Sequence, residues 1–233
     1  MKKVFVLVFL IITSGVFAQV ATFKNGRDLI SAMHTRYKLG PCKTYRFSQK
    51  NTHYKNDTVS GHSVWHEYIQ FPDKFRIDFG SKEEGNYIIF KNDSAFNYKK
   101  GQFLKSRADS NTLLLLLGGM FYRELPEVLK RIEQATFDLQ VLSQQSWQNR
   151  KVYVIGAKEN EANKNQIWID QTTLRVLRII EKLNDKDWMD MRFEAHQAWC
   201  KGYVETKVSF RRNGKLEQVE EYYDIKEISS FPD

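Results

Sequence analysis

The chain has 233 residues, 42% hydrophobic and 14% aromatic, and carries 36 Lys and Arg against 28 Asp and Glu for a net charge of +8. That length supplies one sizeable core, and without a Pro/Gly/Ser-rich linker, low-complexity tract or repeat nothing divides it. Its basic and acidic residues are interspersed, which suits solubility with a mild preference for anionic surfaces and excludes a dedicated charged tail.

Met1-Lys2-Lys3 is basic and Val4 to Phe17 is apolar apart from Thr13 and Ser14, the n-region and h-region of a secretory signal. Fourteen apolar residues rising about 1.5 Å each reach about 21 Å, short of the roughly 30 Å hydrocarbon core, so a cleaved signal is expected in place of an anchor. Val16-Phe17-Ala18 sets the cut before Gln19. Residues 1–18 are thus expected to be a signal peptide and 19–233 a single exported domain, with the charge reduced to +6 by loss of Lys2 and Lys3 (8 − 2). The h-region has no following cysteine to take a lipid anchor, and no later stretch is long and apolar enough to span a bilayer.

Asn25 caps a predicted helix to about Tyr37, with Leu29, Ile30, Met33 and Tyr37 in one apolar stripe and Gly40-Pro41 as its stop. Strand-length segments follow at Thr44 to Tyr54, Val59 to Phe71, Lys74 to Phe79, Asn86 to Phe90, Ala95 to Tyr98 and Gln102 to Lys105, separated by turn formers such as Asn56-Asp57 and Asn92-Asp93. The meander breaks at Asp109-Ser110-Asn111-Thr112. The segment Leu113 to Phe121 is apolar all round, so it is either a packed core helix or the roof of a cavity that something apolar fills. A second helix after Leu125-Pro126 presents Leu125, Val128, Leu129, Ile132 and Ala135 as a stripe. Strands resume near Phe137 and run through Lys151 to Ala157, Gln166 to Asp170, Leu174 to Asn184, Trp188 to Trp199, Tyr203 to Arg211 and Leu216 to Ile228, with Asn213-Gly214 as a hairpin turn. Twist accumulating over so long a meander curls it, giving an α+β fold with helices on the concave face.

Polar chemistry is sparse. His62 and His66 lie four residues apart on a strand, about 13 Å, too far to share a zinc ion, so no metal site is expected. The sequence lacks a nucleophile elbow, Cys-x-x-Cys, His-Glu-x-x-His, phosphate loop and dinucleotide fingerprint, so neither a cofactor nor an enzyme is expected. Glu83-Glu84 and Glu220-Glu221 are adjacent pairs facing opposite sides of a strand, unable to flank one bond and expected to be solvated. Lys99-Lys100 and Arg211-Arg212 are turn-adjacent surface charges, and nucleic acid is not an expected partner. Cys42 and Cys200 form either a disulfide or two buried thiols. The alternation of Phe75, Ile77 and Phe79 puts three large side chains on one face, expected to be concave. Trp65, Ile89, Leu113, Leu116, Leu117, Met120 and Val154 complete the expected lining of an apolar cavity.

In order, these segments resemble the periplasmic lipoprotein carrier family, the LolA-like proteins. The resemblance rests on Phe47-Ser48-Gln49, on Gly61 to Tyr68 followed by Phe71-Pro72-Asp73-Lys74-Phe75-Arg76, on Ile88 to Tyr98, and on Gln166-Ile167-Trp168-Ile169-Asp170 with Leu174 to Ile179. It implies an unclosed β-barrel of about eleven strands lidded by helices, with Phe75 at a cavity-side aromatic position and Leu113 to Phe121 as part of the lid. It further implies a monomeric carrier that takes lipoprotein acyl chains or lipid toward the outer membrane, touching membranes transiently and meeting an inner-membrane releasing and an outer-membrane receiving protein. An envelope sensor or assembly factor, reading a protein or lipid signal with the same half-barrel, is the alternative. Where the family's lid-latching arginine stands, this chain has Phe71, which cannot donate hydrogen bonds. Either the cargo differs or the lid closes by apolar contact alone.

Overall fold

The computed structural model describes residues 22–40, 42–162 and 164–232. The signal peptide expected over 1–18, with its cut before Gln19, lies outside the described residues. The first helix, α1 (Gly26–Tyr37), begins where Asn25 Oδ1 accepts the Asp28 main-chain N–H at 3.0 Å. That cap satisfies one of the free donors of the first turn, and the apolar stripe buries Leu29, Ile30 and Met33 completely.

Six strands follow: β1 (Thr44–Lys55), β2 (Thr58–Gln70), β3 (Lys74–Phe79), β4 (Tyr87–Lys91), β5 (Ser94–Lys99) and β6 (Gln102–Ala108). Asn56-Asp57, Asn92-Asp93 and Lys100-Gly101 all hold positive φ, from 50° to 76°, as two-residue reversals matching strand twist require. Next come α2 (Thr112–Leu117), a tight turn at Gly119–Tyr122, and α3 (Leu125–Gln134). The chain closes with β7 (Leu142–Trp147), β8 (Arg150–Ile155), β9 (Gln166–Asp170), β10 (Val176–Lys182), β11 (Trp188–Glu194), β12 (Gln197–Trp199), β13 (Gly202–Val204), β14 (Lys207–Arg212) and β15 (Lys215–Glu227).

Thirteen strands form one antiparallel sheet in the order β6-β5-β4-β3-β2-β1-β15-β14-β11-β10-β9-β8-β7, and β12-β13 is a separate ribbon. The edges β6 and β7 do not meet, so this is an unclosed, curved sheet as expected, with thirteen strands in place of about eleven. The two strand runs expected at Trp188 to Trp199 and Tyr203 to Arg211 are each broken. The chain leaves the sheet at Ala195, where φ is 51°, and returns after Glu205. The excursion carries Cys200 to Cys42, bonded as a disulfide with Cα atoms 5.5 Å apart, which settles the two alternatives for this pair.

The helices cover one face of the sheet. Leu29 and Met33 of α1, Val128 and Ile132 of α3, and Leu116 and Met120 share a core with Tyr153, Ile155, Ile167, Ile179 and Phe193 from the strands. The opposite face of β8 to β10 carries a smaller cluster of Val152, Val154, Trp168 and Leu177. The core under α1 and α3 lies on β8 to β11, while α2 reaches over β1 and β2, which leaves the space described next. Among the described residues no helix is long and apolar enough to cross a membrane.

Candidate ligand-binding cavity

Strand register brings aromatic and aliphatic side chains into rows across the concave face. Tyr45, Ile69, Phe75 and Phe90 are cross-strand partners on β1 to β4, and Phe47, Glu67 and Ile77 form the adjacent row. Side chains on a strand alternate between faces, so these rows point together under α2. They bound a cavity of about 400 Å³, within the usual range for a ligand pocket, whose far wall is Val208, Phe210, Glu220 and Tyr222. Leu113, Leu114 and Leu117 form its roof. Asn111 holds the roof helix by accepting the Leu114 main-chain N–H at 2.9 Å.

Phe71 fastens that roof by apolar contact. It is 2% exposed, stacks on Tyr122 at 5.7 Å and meets Tyr45 at 5.9 Å. A Cβ on Gly118 would overlap its ring, so glycine is needed for this close approach. A polar tie lies further out, where Arg131 of α3 donates to both carboxylate oxygens of Asp93 at 2.7 and 3.2 Å.

Of the ten expected lining residues, Trp65, Phe75, Ile77, Leu113 and Leu117 border this cavity. The other five are placed elsewhere. Leu116 and Met120 are fully buried in the main core, because the broken α2 segment presents them to α1 and the sheet. Val154 faces the opposite side of the sheet, since Tyr153 and Ile155 take the helix side. Ile89 is opposite Arg76, one residue out of step with the concave pair Phe75 and Phe90. Phe79 ends its strand in an edge contact with Trp65 at 5.0 Å, beyond the cavity wall. The segment Leu113 to Phe121 is therefore core along one side and roof along the other.

Carboxyl groups were not anticipated here. Glu67, Glu205, Glu220, Glu181 and Asp109 all line the cavity, and the lining includes no Lys, Arg or His. Glu220, expected in solvent, is 7% exposed, and Glu67 and Glu205 are 5% and 8% exposed. Burial pushes Glu205 and Glu220 up to about 7, and repulsion from Glu220 adds to the rise at Glu205. Burial and then the charges of Glu220 and Glu205 hold Glu67 well above the ordinary carboxylate range. Glu181 is raised to about 7 by burial and by Asp109. Tyr45 and Tyr222 are raised by burial and by these same carboxyls. The sequence carries a signal for them: Glu67 falls between Trp65 and Ile69 at strand period, and Glu220 between Gln218 and Tyr222. Glu83 and Glu84 do lie exposed in a short turn, as expected.

A wider groove of about 720 Å³ between α3 and β6 is bordered by Glu127, Lys130 and Arg131 and offers little to a hydrocarbon. His62 and His66 bond separately to Thr52 and Ser48, at 3.4 and 2.8 Å.

The curled, helix-lidded sheet with its hollow under α2 has the LolA-like fold. Among solved structures it is similar to a LolA superfamily protein from Nitrosomonas europaea, with a TM-score of 0.58 at 12% identity over 89% of this chain and 95% of that one. A domain from Vibrio parahaemolyticus assigned to outer membrane lipoprotein sorting gives 0.58 at 10% identity, covering 88% and 93%. A DUF1329 family protein from Desulfovibrio piger gives 0.59 at 14%, covering 89% and 94%. No protein-family model and no curated protein matches the chain.

Proposed function

We propose that this protein is an exported periplasmic carrier that shelters acyl chains of a lipid or lipoprotein in the cavity beneath α2 and hands them on toward the outer membrane. The observation that carries this reading is a hollow of about 400 Å³ walled by Phe75, Ile77 and Phe90 and roofed by leucines, open beside a thickly packed core. Each CH2 leaving water contributes about 0.8 kcal/mol, so ten of them offer about 8 kcal/mol before the cost of ordering the chain. That suffices for capture and release without covalent chemistry. The solved structures of like fold, named for the LolA superfamily and for lipoprotein sorting, support the same use.

Binding fits the lining better than catalysis does. Acid-base pairs need environments that push two groups apart, whereas burial raises all four glutamates in the same direction. Delivery from an inner-membrane releasing protein to an outer-membrane receiver, as a monomer, belongs to this proposal.

The test is to purify the protein from envelopes, extract it and identify bound compounds by mass spectrometry, then measure uptake of a fluorescent acyl probe. Acylated compounds are expected in the extract, and Phe75→Glu is expected to abolish uptake with an unchanged circular dichroism spectrum. A clean extract together with undiminished uptake by the variant refutes the carrier reading; a co-purifying protein without lipid favours the sensor.

A further inference from the structure

Three glutamates line the cavity from separate parts of the chain. Glu67 lies in register between Phe47 and Ile77, so its carboxyl emerges from an apolar wall, and Glu220 lies between Val208 and Asn51. Glu205 reaches the same space from the segment joining β13 to β14. Glu220 is held by its own strand: Gln218 Nε2 and Tyr222 Oη each donate to it at 2.7 Å. Glu67, 5% exposed, has no hydrogen-bond partner among the described residues, and Glu205, 8% exposed, has none beyond its own main-chain amide. Buried acceptors without donors are costly, and a fold usually meets that cost with an arginine or lysine from a neighbouring strand. Among the described residues no Lys or Arg reaches the cavity lining.

We propose that the cavity is a binding site for an amine-bearing amphiphile, with its protonated amine seated among Glu67, Glu205 and Glu220 and its hydrocarbon chain running under α2 against Phe75 and Leu117. An ammonium group has three N–H donors, one for each carboxyl. The rings of Phe47 and Tyr222, centred 4.5 Å apart from neighbouring strands β1 and β15, add aromatic surface that suits a cation. Burial, and beyond it the charge of Glu220, keeps Glu67 and Glu205 reluctant to ionise, and a bound cation offsets both. An anionic head, phosphate or carboxylate, meets only like charge. The inference rests on the carrier reading for the tail and adds the identity of the head.

Isothermal calorimetry of the mature protein with decylamine, decanol and decanoate separates the two layers. At about pH 7.5 the amine is protonated and the alkanoate ionised. The amine is expected to bind about tenfold tighter than the alcohol and the alkanoate most weakly. Glu67→Gln with Glu205→Gln is expected to bring the amine down to the affinity of the alcohol. Equal binding of all three probes, or an amine preference that survives in the double variant, overturns the head-group inference and leaves the carrier reading standing. Failure of all three to bind overturns both. The ranking on the unsubstituted protein tests the inference even where the double variant does not fold.

Discussion

Glu220 and Glu221 are neighbours with opposite surroundings: Glu220 is buried at the cavity wall and Glu221 is exposed. The alternation that forbids such a pair from flanking one bond also requires one of the two to face inward. That much was legible in the sequence; which face is concave depends on how β15 registers with β1 and β14, a tertiary fact. The buried acids make stability depend on pH. Glu205 and Glu220 move from an ordinary value near 4.5 to about 7 on folding, Glu181 does likewise, and Glu67 moves in the same direction. The folded chain therefore keeps protons that the unfolded chain releases, and native stability falls as pH rises from about 4.5 through about 7. His196, lowered to about 4 by burial and by Arg175, slopes the other way from 6.5 downward, but it is one group against four. Melting temperature is expected to fall across that window, and Glu205→Gln with Glu220→Gln to flatten the fall. A double variant with the slope of the parent protein refutes the assignment.

At the level of elements, the turns were the most readable feature, because Asn-Asp and Asn-Gly pairs tolerate the positive φ that tight reversals impose. The two helices flanking α2 were readable from their stripes. The α2 segment itself was ambiguous because a run of five leucines has no polar side to orient it, and the break at Gly118 was invisible without Phe71 above it. That contact carries a prediction. Gly118→Ala places a methyl group into the Phe71 ring, and overpacking of this kind costs about 1–3 kcal/mol. In a chain of this size each kcal/mol lowers the melting temperature by about 2–4 °C. The variant is expected to melt several degrees lower and to take up an acyl probe faster in stopped flow, since its roof no longer closes on Phe71. Adding Phe71→Ala removes the overlap and is expected to reverse part of the melting loss. A Gly118→Ala protein matching the parent in both measurements shows that the roof is fastened elsewhere, as through Arg131 and Asp93.

For the whole molecule, the first strand pairs with the last: Tyr45 is opposite Glu227 and His53 opposite Gln218, so the two meanders are joined through residues more than 160 positions apart in the sequence. Short spacing between strands made each meander legible, but nothing local encodes the seam between them. The disulfide acts near that seam. It ties the residues just before β1 to the ribbon of β12 and β13, closing a loop of 158 residues, while Lys201 donates its main-chain N–H to Gly40 at 2.8 Å beside it. A cross-link over so long a loop restricts mainly the unfolded chain, and on the chain-entropy model it contributes up to about 5 kcal/mol. The bond lies outside the thirteen-stranded sheet, so its removal takes away stability without removing any strand pair. Cys42→Ser with Cys200→Ser is therefore expected to keep the β-sheet circular dichroism spectrum and the cavity under α2 while melting up to about 20 °C lower. Reducing agent is expected to shift the parent protein to the same lower transition and to leave the double variant unmoved. Equal melting of the oxidised parent and the variant means that the unfolded chain is already held compact at this seam, and the chain-entropy account of the bond fails.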